Sequence, residues 1–289
     1  MSIASLFNSS DIISYQKSSR IHGQSFLPIF SLPSIYAIGL GPGDAGYLAP
    51  KAKEALRQSD VVVGYTGYMA LIAELVQGKE VIATGMQGET ERCEAAIGKA
   101  LQGLQVCVVS SGDAGIYGMA SLLYELAEEH PDVEIEVIPG ITAAVSAAAI
   151  LGAPLTNDFS VISLSDLLTP WAVIEKRLDA CAAADMVLCL YNPQSKKRRG
   201  YLGKACDIAL RHKPADTPCG YVRNAFRGSD GEGDDGKGGD GEARDGKARV
   251  CILAELREAD VDMFTTVIIG NAGTRVINCK LVTVRGYKR

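Results

Sequence analysis

The stretch Val106-Cys107-Val108-Val109-Ser110-Ser111-Gly112-Asp113-Ala114-Gly115-Ile116-Tyr117-Gly118 runs from a short apolar segment through a glycine-rich turn into the helical pattern Ala120–Ala127. Four β-branched or apolar residues in a row read as a buried strand, so the order is strand, turn, helix. Glycines in such a turn leave backbone N–H and C=O groups uncovered by side chains, and a small polar ligand can lie against that main chain. One carboxylate, Asp113, stands in the middle of it. Two further turns of the same kind follow other predicted strands: Gly39-Leu40-Gly41-Pro42-Gly43-Asp44 and Pro139-Gly140-Ile141-Thr142-Ala143. Three such turns at strand ends predict a ligand cleft along one edge of a parallel sheet.

Outward from this stretch, strands and helices alternate. Strands are predicted at 35–40, 61–63, 80–83, 106–109 and 134–138, separated by helices at 49–58, near 68–76, at 90–101, 120–127 and 143–150. Pro50 falls in the first turn of its helix, where a missing N–H is harmless. This βαβα order predicts a parallel sheet with helices on both faces over an N-terminal domain, residues 34–151. A break at Gly152-Ala153-Pro154 opens a second α/β domain, 152–289. Its strands at 159–163, 186–190, 219–222, 250–253, 265–269 and 280–284, with helices at 170–183 and 200–211, predict a mixed sheet. Residues 1–33 are serine-rich with a single acidic residue, Asp11, and read as a disordered extension; a targeting peptide using Lys17 and Arg20 is the alternative. The insert 228–247 has eight glycines and seven acidic residues, too little apolar surface to order itself. Its aspartates lack the periodicity and closing glutamate of a calcium loop.

The formal net charge of −5 argues against a broad nucleic-acid surface. No apolar run approaches the roughly 20 residues needed to cross a bilayer. Eight cysteines are scattered without a C-x-x-C pair, and His22, His130 and His212 do not cluster with them, so reduced structural thiols and no metal centre are expected. Gly39-x-Gly41-Pro42-Gly43 invites a nicotinamide-dinucleotide reading, but Asp44 occupies the sixth position of the fingerprint, and Pro42 breaks direct entry into a helix.

In this order, Gly39-Leu40-Gly41-Pro42-Gly43-Asp44, Ser111-Gly112-Asp113-Ala114-Gly115-Ile116-Tyr117 and Pro139-Gly140-Ile141-Thr142-Ala143 resemble the tetrapyrrole (corrin/porphyrin) methylase family. The block Asp158-Phe159-Ser160-Val161-Ile162-Ser163-Leu164-Ser165-Asp166-Leu167-Leu168-Thr169-Pro170-Trp171 is similar to the subgroup that methylates precorrin-3B at C17. So are Leu190-Tyr191-Asn192-Pro193, Val222-Arg223-Asn224-Ala225 and the segment from Asp262 to Asn271. The resemblance covers residues 34–289 apart from the insert.

The resemblance implies a two-domain class III S-adenosylmethionine methyltransferase architecture, with S-adenosylmethionine bound between the domains. Carried over residue by residue, Pro42, Gly112, Asp113, Ile116, Tyr117, Thr142 and Ala143 would hold the cofactor from the first domain. Tyr191, Asn192, Val222, Asn271 and Ala272 would hold it from the second. Gly43, Ser165, Lys197 and Arg223 would face a precorrin-type tetrapyrrole, whose carboxylates call for cations; the basic run Lys196-Lys197-Arg198-Arg199 is the candidate source, with a solvated helix start as the alternative. The resemblance further implies a cytoplasmic homodimer that binds neither nucleic acid nor membrane, and methylation accompanied by ring contraction to precorrin-4. It leaves open a cobalt-containing substrate (cobalt-factor III) or another precorrin carbon. A contraction must move protons, and Asp113, Asp158 and Asp166 are the candidate catalytic carboxylates, with Ser165 beside them. Turn or cap roles compete for each. A nicotinamide-dependent oxidoreductase and a non-catalytic binding module are the readings from other classes.

Overall fold

Ile35–Gly39 (β1) is buried at every position and lies between two parallel neighbours, Val106–Ser110 (β4) and Ile135–Ile138 (β5). The computed structural model describes residues 34–195, 198–227 and 248–287. The expected extension 1–33 and insert 228–247 lie outside these residues.

Between β1 and β4 the chain forms Pro50–Gln58 (α1), Val61–Tyr65 (β2), Thr66–Met69 (α2), Glu80–Thr84 (β3) and Glu89–Ala100 (α3). Ala120–Ala127 (α4) precedes β5. The sheet order is β3-β2-β4-β1-β5, and every pairing is parallel. Strand side chains alternate between faces, as a pleat demands. Ile35, Ala37, Val61, Val63, Val106 and Val108 pack under α3 and α4. Tyr36, Ile38, Val62, Cys107 and Val109 pack under α1. α3 shows why it forms: Arg92, Cys93, Ala96, Ile97 and Ala100 make one buried stripe, with Glu89 and Glu91 in the first turn and Lys99 in the last.

Ala143–Leu151 (α5) follows β5 in sequence yet covers the next sheet. That sheet holds Phe159–Ser163 (β7), Val187–Tyr191 (β8), Pro218–Arg223 (β9), Ala248–Ile252 (β10) and Thr265–Ile269 (β11), with Gly152–Ala153 (β6) before them. Its order is β10-β9-β11-β8-β7, with β7 and β8 parallel and the other pairs antiparallel. The mixed sheet expected from the sequence is therefore present. Ala144, Ala147, Ala148 and Leu151 of α5 pack on Val187, Cys189, Val222 and Ile268. On the other face, Trp171–Ala183 (α6), Tyr201–Ala209 (α7) and Leu253–Leu256 (α8) cover Leu188, Leu190, Val267 and Ile269. A small sheet, β12-β13-β6, adds Thr274–Ile277 (β12) and Lys280–Thr283 (β13).

Several expectations are corrected. The helix near 68–76 is the single turn α2 running into a 3-10 segment, Ala70–Leu75, with non-helical Ile72 inside (φ −127°, ψ 17°). Thr66, Gly67 and Ile72 are poor helix formers, and burial of Ile72 sets the chain path instead. The strand read through Leu253 stops at Ile252, and Leu253 begins α8. Pro170 occupies the cap of α6, and no side chain bonds the free N–H groups there. Trp171, the first residue of α6, is half-buried against the core of the second sheet. The short strands β6 and β12 are additions that the pattern does not signal.

Candidate active site

The sheet order explains why three glycine turns meet. β4, β1 and β5 are side-by-side parallel strands, so their C-terminal turns emerge together at one edge. Gly41 and Gly112 exchange two backbone hydrogen bonds: Gly41 N–H to Gly112 O at 2.9 Å, and Gly112 N–H to Gly41 O at 2.8 Å. Gly112 holds φ at +70°, which glycine adopts without cost. A Cβ on Gly39 would lie 2.6 Å from Gly140 N. The turns thus present bare backbone because no side chain fits between them.

Asp113 locks this arrangement. Its Oδ1 accepts from Gly115 N–H at 2.8 Å and from Ile116 N–H at 3.1 Å. Its Oδ2 accepts from Gly140 N–H at 2.9 Å. The carboxylate ties the second turn to the third. Three backbone donors already engage it, a positioning role more than a proton-transfer role.

A cavity of about 990 Å³ opens beside these turns, at the upper end of the range for ligand sites. Pro42, Gly112, Asp113, Ile116, Tyr117, Thr142 and Ala143 line one wall. The other wall comes from the second sheet. β7, β8 and β9 run in one direction and β11 runs against them, so the C-terminal ends of the first three and the start of β11 share an edge. Ser165, Tyr191, Asn192, Arg223 and Thr265 line the cavity from there. Tyr117, Asn192 and Asn224 adopt positive φ (55°, 51° and 52°) without being glycine. Strained backbone of this kind clusters at functional sites.

The two walls are cross-linked. The Tyr191 hydroxyl lies 2.5 Å from Thr142 Oγ1 and accepts from Ala144 N–H at 2.7 Å. Burial pushes the Tyr191 phenol above its ordinary pKa, partly offset by these hydrogen bonds. The Tyr117 hydroxyl donates to Val161 O at 3.2 Å and accepts from Ser163 N–H at 3.1 Å, capping the open edge of β7. Arg227 donates from Nε to Pro42 O at 3.1 Å and from a terminal nitrogen to Ser111 Oγ at 2.5 Å. Burial lowers the pKa of this guanidinium.

Not every sequence-predicted residue reaches the cavity. Gly43 sits beside it with φ +126°, close to Arg227 and Leu71, but does not line it. Val222 is buried under α5, facing the core. Asn271 and Ala272 follow the C-terminal end of β11, which is the far edge of the sheet because that strand runs antiparallel. There the Ala272 N–H bonds Asp185, and Asn271 closes a turn with Gly273 and Thr274. Asp158 is exposed at the start of β7, a whole strand away from Ser165, which removes the geometric ground for proton transfer. Asp166 lies behind the wall, accepting from the Tyr201 hydroxyl at 2.6 Å. Lys197 lies outside the described residues.

Sequence reasoning also missed residues. Arg92, 4% exposed, lines the cavity from α3 and donates to Thr84 Oγ1 at 2.6 Å and Gly85 O at 2.9 Å. Its place on the apolar stripe of α3, with Cys93 and Ala96, was the available signal. Arg227, two residues beyond the segment Val222–Ala225, also lines the cavity, as does Arg198 of the basic run 196–199. Among the described residues lining the cavity there is neither cysteine nor histidine.

A family model, Tetrapyrrole (Corrin/Porphyrin) Methylases, matches residues 34–227. The chain is 45% identical over 251 residues to the probable cobalt-factor III C(17)-methyltransferase of Salmonella typhimurium, covering 86% of this chain and 98% of that one. It is 40% identical over 260 residues to the cobalt-factor III methyltransferase of Priestia megaterium, covering 88% of this chain and 45% of that longer one. The crystal structure of the methyltransferase CobJ superposes with a TM-score of 0.76 at 34% identity, covering 86% of this chain and 99% of that one.

Proposed function

Because this chain belongs to the tetrapyrrole (corrin/porphyrin) methylases, we propose that it methylates C17 of a corrin-type macrocycle during cobalamin biosynthesis. The observation that carries the reading is the 45% identity over nearly the full length of a relative named for that activity, which spans both walls of the cavity. Cobalt-factor III is the substrate favoured by that name. Precorrin-3B, the metal-free counterpart, is the second reading, supported by the superposition with CobJ.

The residues present fit S-adenosylmethionine. The Gly39 and Gly140 backbones pack so tightly on Gly112 that a Cβ on either would strike main chain, which holds the bare Gly112 turn at the cavity wall, with Thr142 and Ala143 at the head of α5 beside it. We assign Pro42, Gly112, Asp113, Ile116, Tyr117, Thr142, Ala143, Tyr191 and Asn192 to its side of the cavity, and Ser165 and Arg223 to the macrocycle. When bound, the group supplies an electrophilic methyl on a sulfonium. The protein then has to orient a carbon nucleophile in line and exclude water, a task for pre-set walls. Tyr117, Tyr191 and Arg227 set those walls by joining them. The same reading makes the enzyme a cytoplasmic homodimer of two α/β domains, 34–151 and 152–289.

Incubation with S-adenosylmethionine and either cobalt-factor III or precorrin-3B tests the proposal by mass spectrometry and NMR. One added methyl, located at C17, is expected. Methylation at another carbon, or of neither macrocycle, overturns it.

A further inference from the structure

Among the described residues, four guanidinium groups line the cavity, and their commitments differ. Arg92 is held by Thr84, Gly85 and Glu89, and Arg227 by Pro42 and Ser111. Arg223 donates from Nε to Asp262 Oδ2 at 2.6 Å. Arg198 stands apart. Its side chain is 13% exposed, and its closest acidic neighbour is Asp166, with Nη1 4.0 Å from Oδ1, an ion pair too long for a hydrogen bond. Its Nε is fully buried and has no hydrogen-bond partner among the described residues. A buried donor left unpaired in a native fold calls for an explanation.

We infer that Arg198 is a specificity residue that receives a peripheral carboxylate of the substrate through Nε and Nη2, which come within reach once its side chain turns toward the cavity, with Asp166 as its positioning residue. The inference rests on the proposed methylation of a tetrapyrrole, whose side chains carry several carboxylates. A guanidinium binds a carboxylate with two parallel N–H···O bonds, and Nε with Nη2 is one of the two pairs that provide them. Asp166 faces Nη1, the nitrogen outside that pair. Asp166 is itself fixed by the Tyr201 hydroxyl at the start of α7. The main chain is fixed as well: Arg198 N–H donates to Ser195 O at 3.0 Å. Ser165, Asn192 and Ser195 share this wall and offer further polar contacts. Within the basic run 196–199 the substrate contact thus falls on Arg198, and Asp166 changes from a candidate acid to a support.

Arg198→Lys keeps the charge and removes the paired donors; Arg198→Ala removes both. Steady-state kinetics with cobalt-factor III, calorimetry with S-adenosylhomocysteine, and absorbance titration with a free-acid uroporphyrin and its methyl ester separate the possibilities. Arg198→Lys is expected to raise KM for the macrocycle about tenfold or more with kcat within about twofold, and Arg198→Ala to raise it further. Asp166→Asn should raise KM about threefold through a less constrained guanidinium. Affinity for S-adenosylhomocysteine should stay within about twofold in all three, which also reports that they fold. If the wild type methylates and both Arg198 variants keep its KM, the anchor is overturned while the functional reading stands. If the wild type methylates nothing, yet binds the free acid better than the ester and loses that preference in Arg198→Lys, the methylation reading falls and the anchor survives. Equal binding of acid and ester by an inactive wild type overturns both.

Discussion

A Cβ on Gly140 would lie 2.1 Å from the carbonyl oxygen of Gly112 and 2.6 Å from backbone atoms of Gly39. Those neighbours are main chain, so none can rotate away. Gly140→Ala must therefore part the second and third turns. We expect a stability loss of about 2–3 kcal/mol, the upper end for overpacking, and S-adenosylhomocysteine binding weakened at least tenfold. Urea unfolding and calorimetry measure the two; a variant matching the wild type in both would show that the turns do not meet as described. Asp113 joins the same turns by chemistry rather than contact. Asp113→Ala leaves three backbone N–H groups without their acceptor and should cost about 2–3 kcal/mol. Asp113→Asn keeps one carbonyl oxygen and should cost about half as much. Equal losses, or none, would mean that water replaces the carboxylate.

Tyr117 belongs to the turn after β4, yet its hydroxyl satisfies the edge of β7 in the second sheet. Tyr117→Phe keeps the ring against Tyr191, 5.7 Å between centroids, and removes the two hydrogen bonds. The Ser163 amide should then exchange with solvent about tenfold faster, a change NMR resolves at one residue, with a stability loss of about 1 kcal/mol. Unchanged exchange would place the hydroxyl in water. This contact also shows where sequence stops being legible. The strands of the two five-stranded sheets and all three glycine turns are readable, because apolar runs and glycine clusters are local signals. Spatial order is not local: nothing in the hydrophobic pattern puts β1 between β4 and β5. Strand direction is equally silent. The segment Thr265–Ile269 reads the same in either orientation, and its antiparallel course carries Asn271 and Ala272 away from the cavity. α5 likewise reads as a cover for the first sheet and packs on the second. Arg92 escaped notice because a buried arginine and a solvated one look alike in sequence.

Across the whole molecule, six of the eight cysteines are buried, distributed over both sheets and the helices that cover them. Burial pushes Cys93, Cys107, Cys189 and Cys206 up from 9.0 to about 12, and Cys251 to about 11. Cys219 is raised for the same reason. A thiol that holds its proton more tightly when folded adds stability that is fully present below the unfolded pKa. That stability drains as pH rises toward the folded value, because only the unfolded chain ionises. Each such thiol contributes a slope of about 1.4 kcal/mol per pH unit, so six give roughly 8 kcal/mol per unit above pH 9. Tyr68 and Tyr191, raised chiefly by burial, steepen the fall above pH 10. A domain stability of roughly 5–15 kcal/mol is exhausted within about one to two units. The melting temperature, followed by circular dichroism with a reductant present, should be level from pH 7 to 8.5 and collapse between about pH 10 and 11. Replacing Cys107 and Cys189 together by alanine should shallow the slope by about a third even though the cavities lower stability at pH 7. A melting temperature that stays level to pH 11, or a slope the double variant leaves untouched, would show that these thiols do not hold their protons through burial.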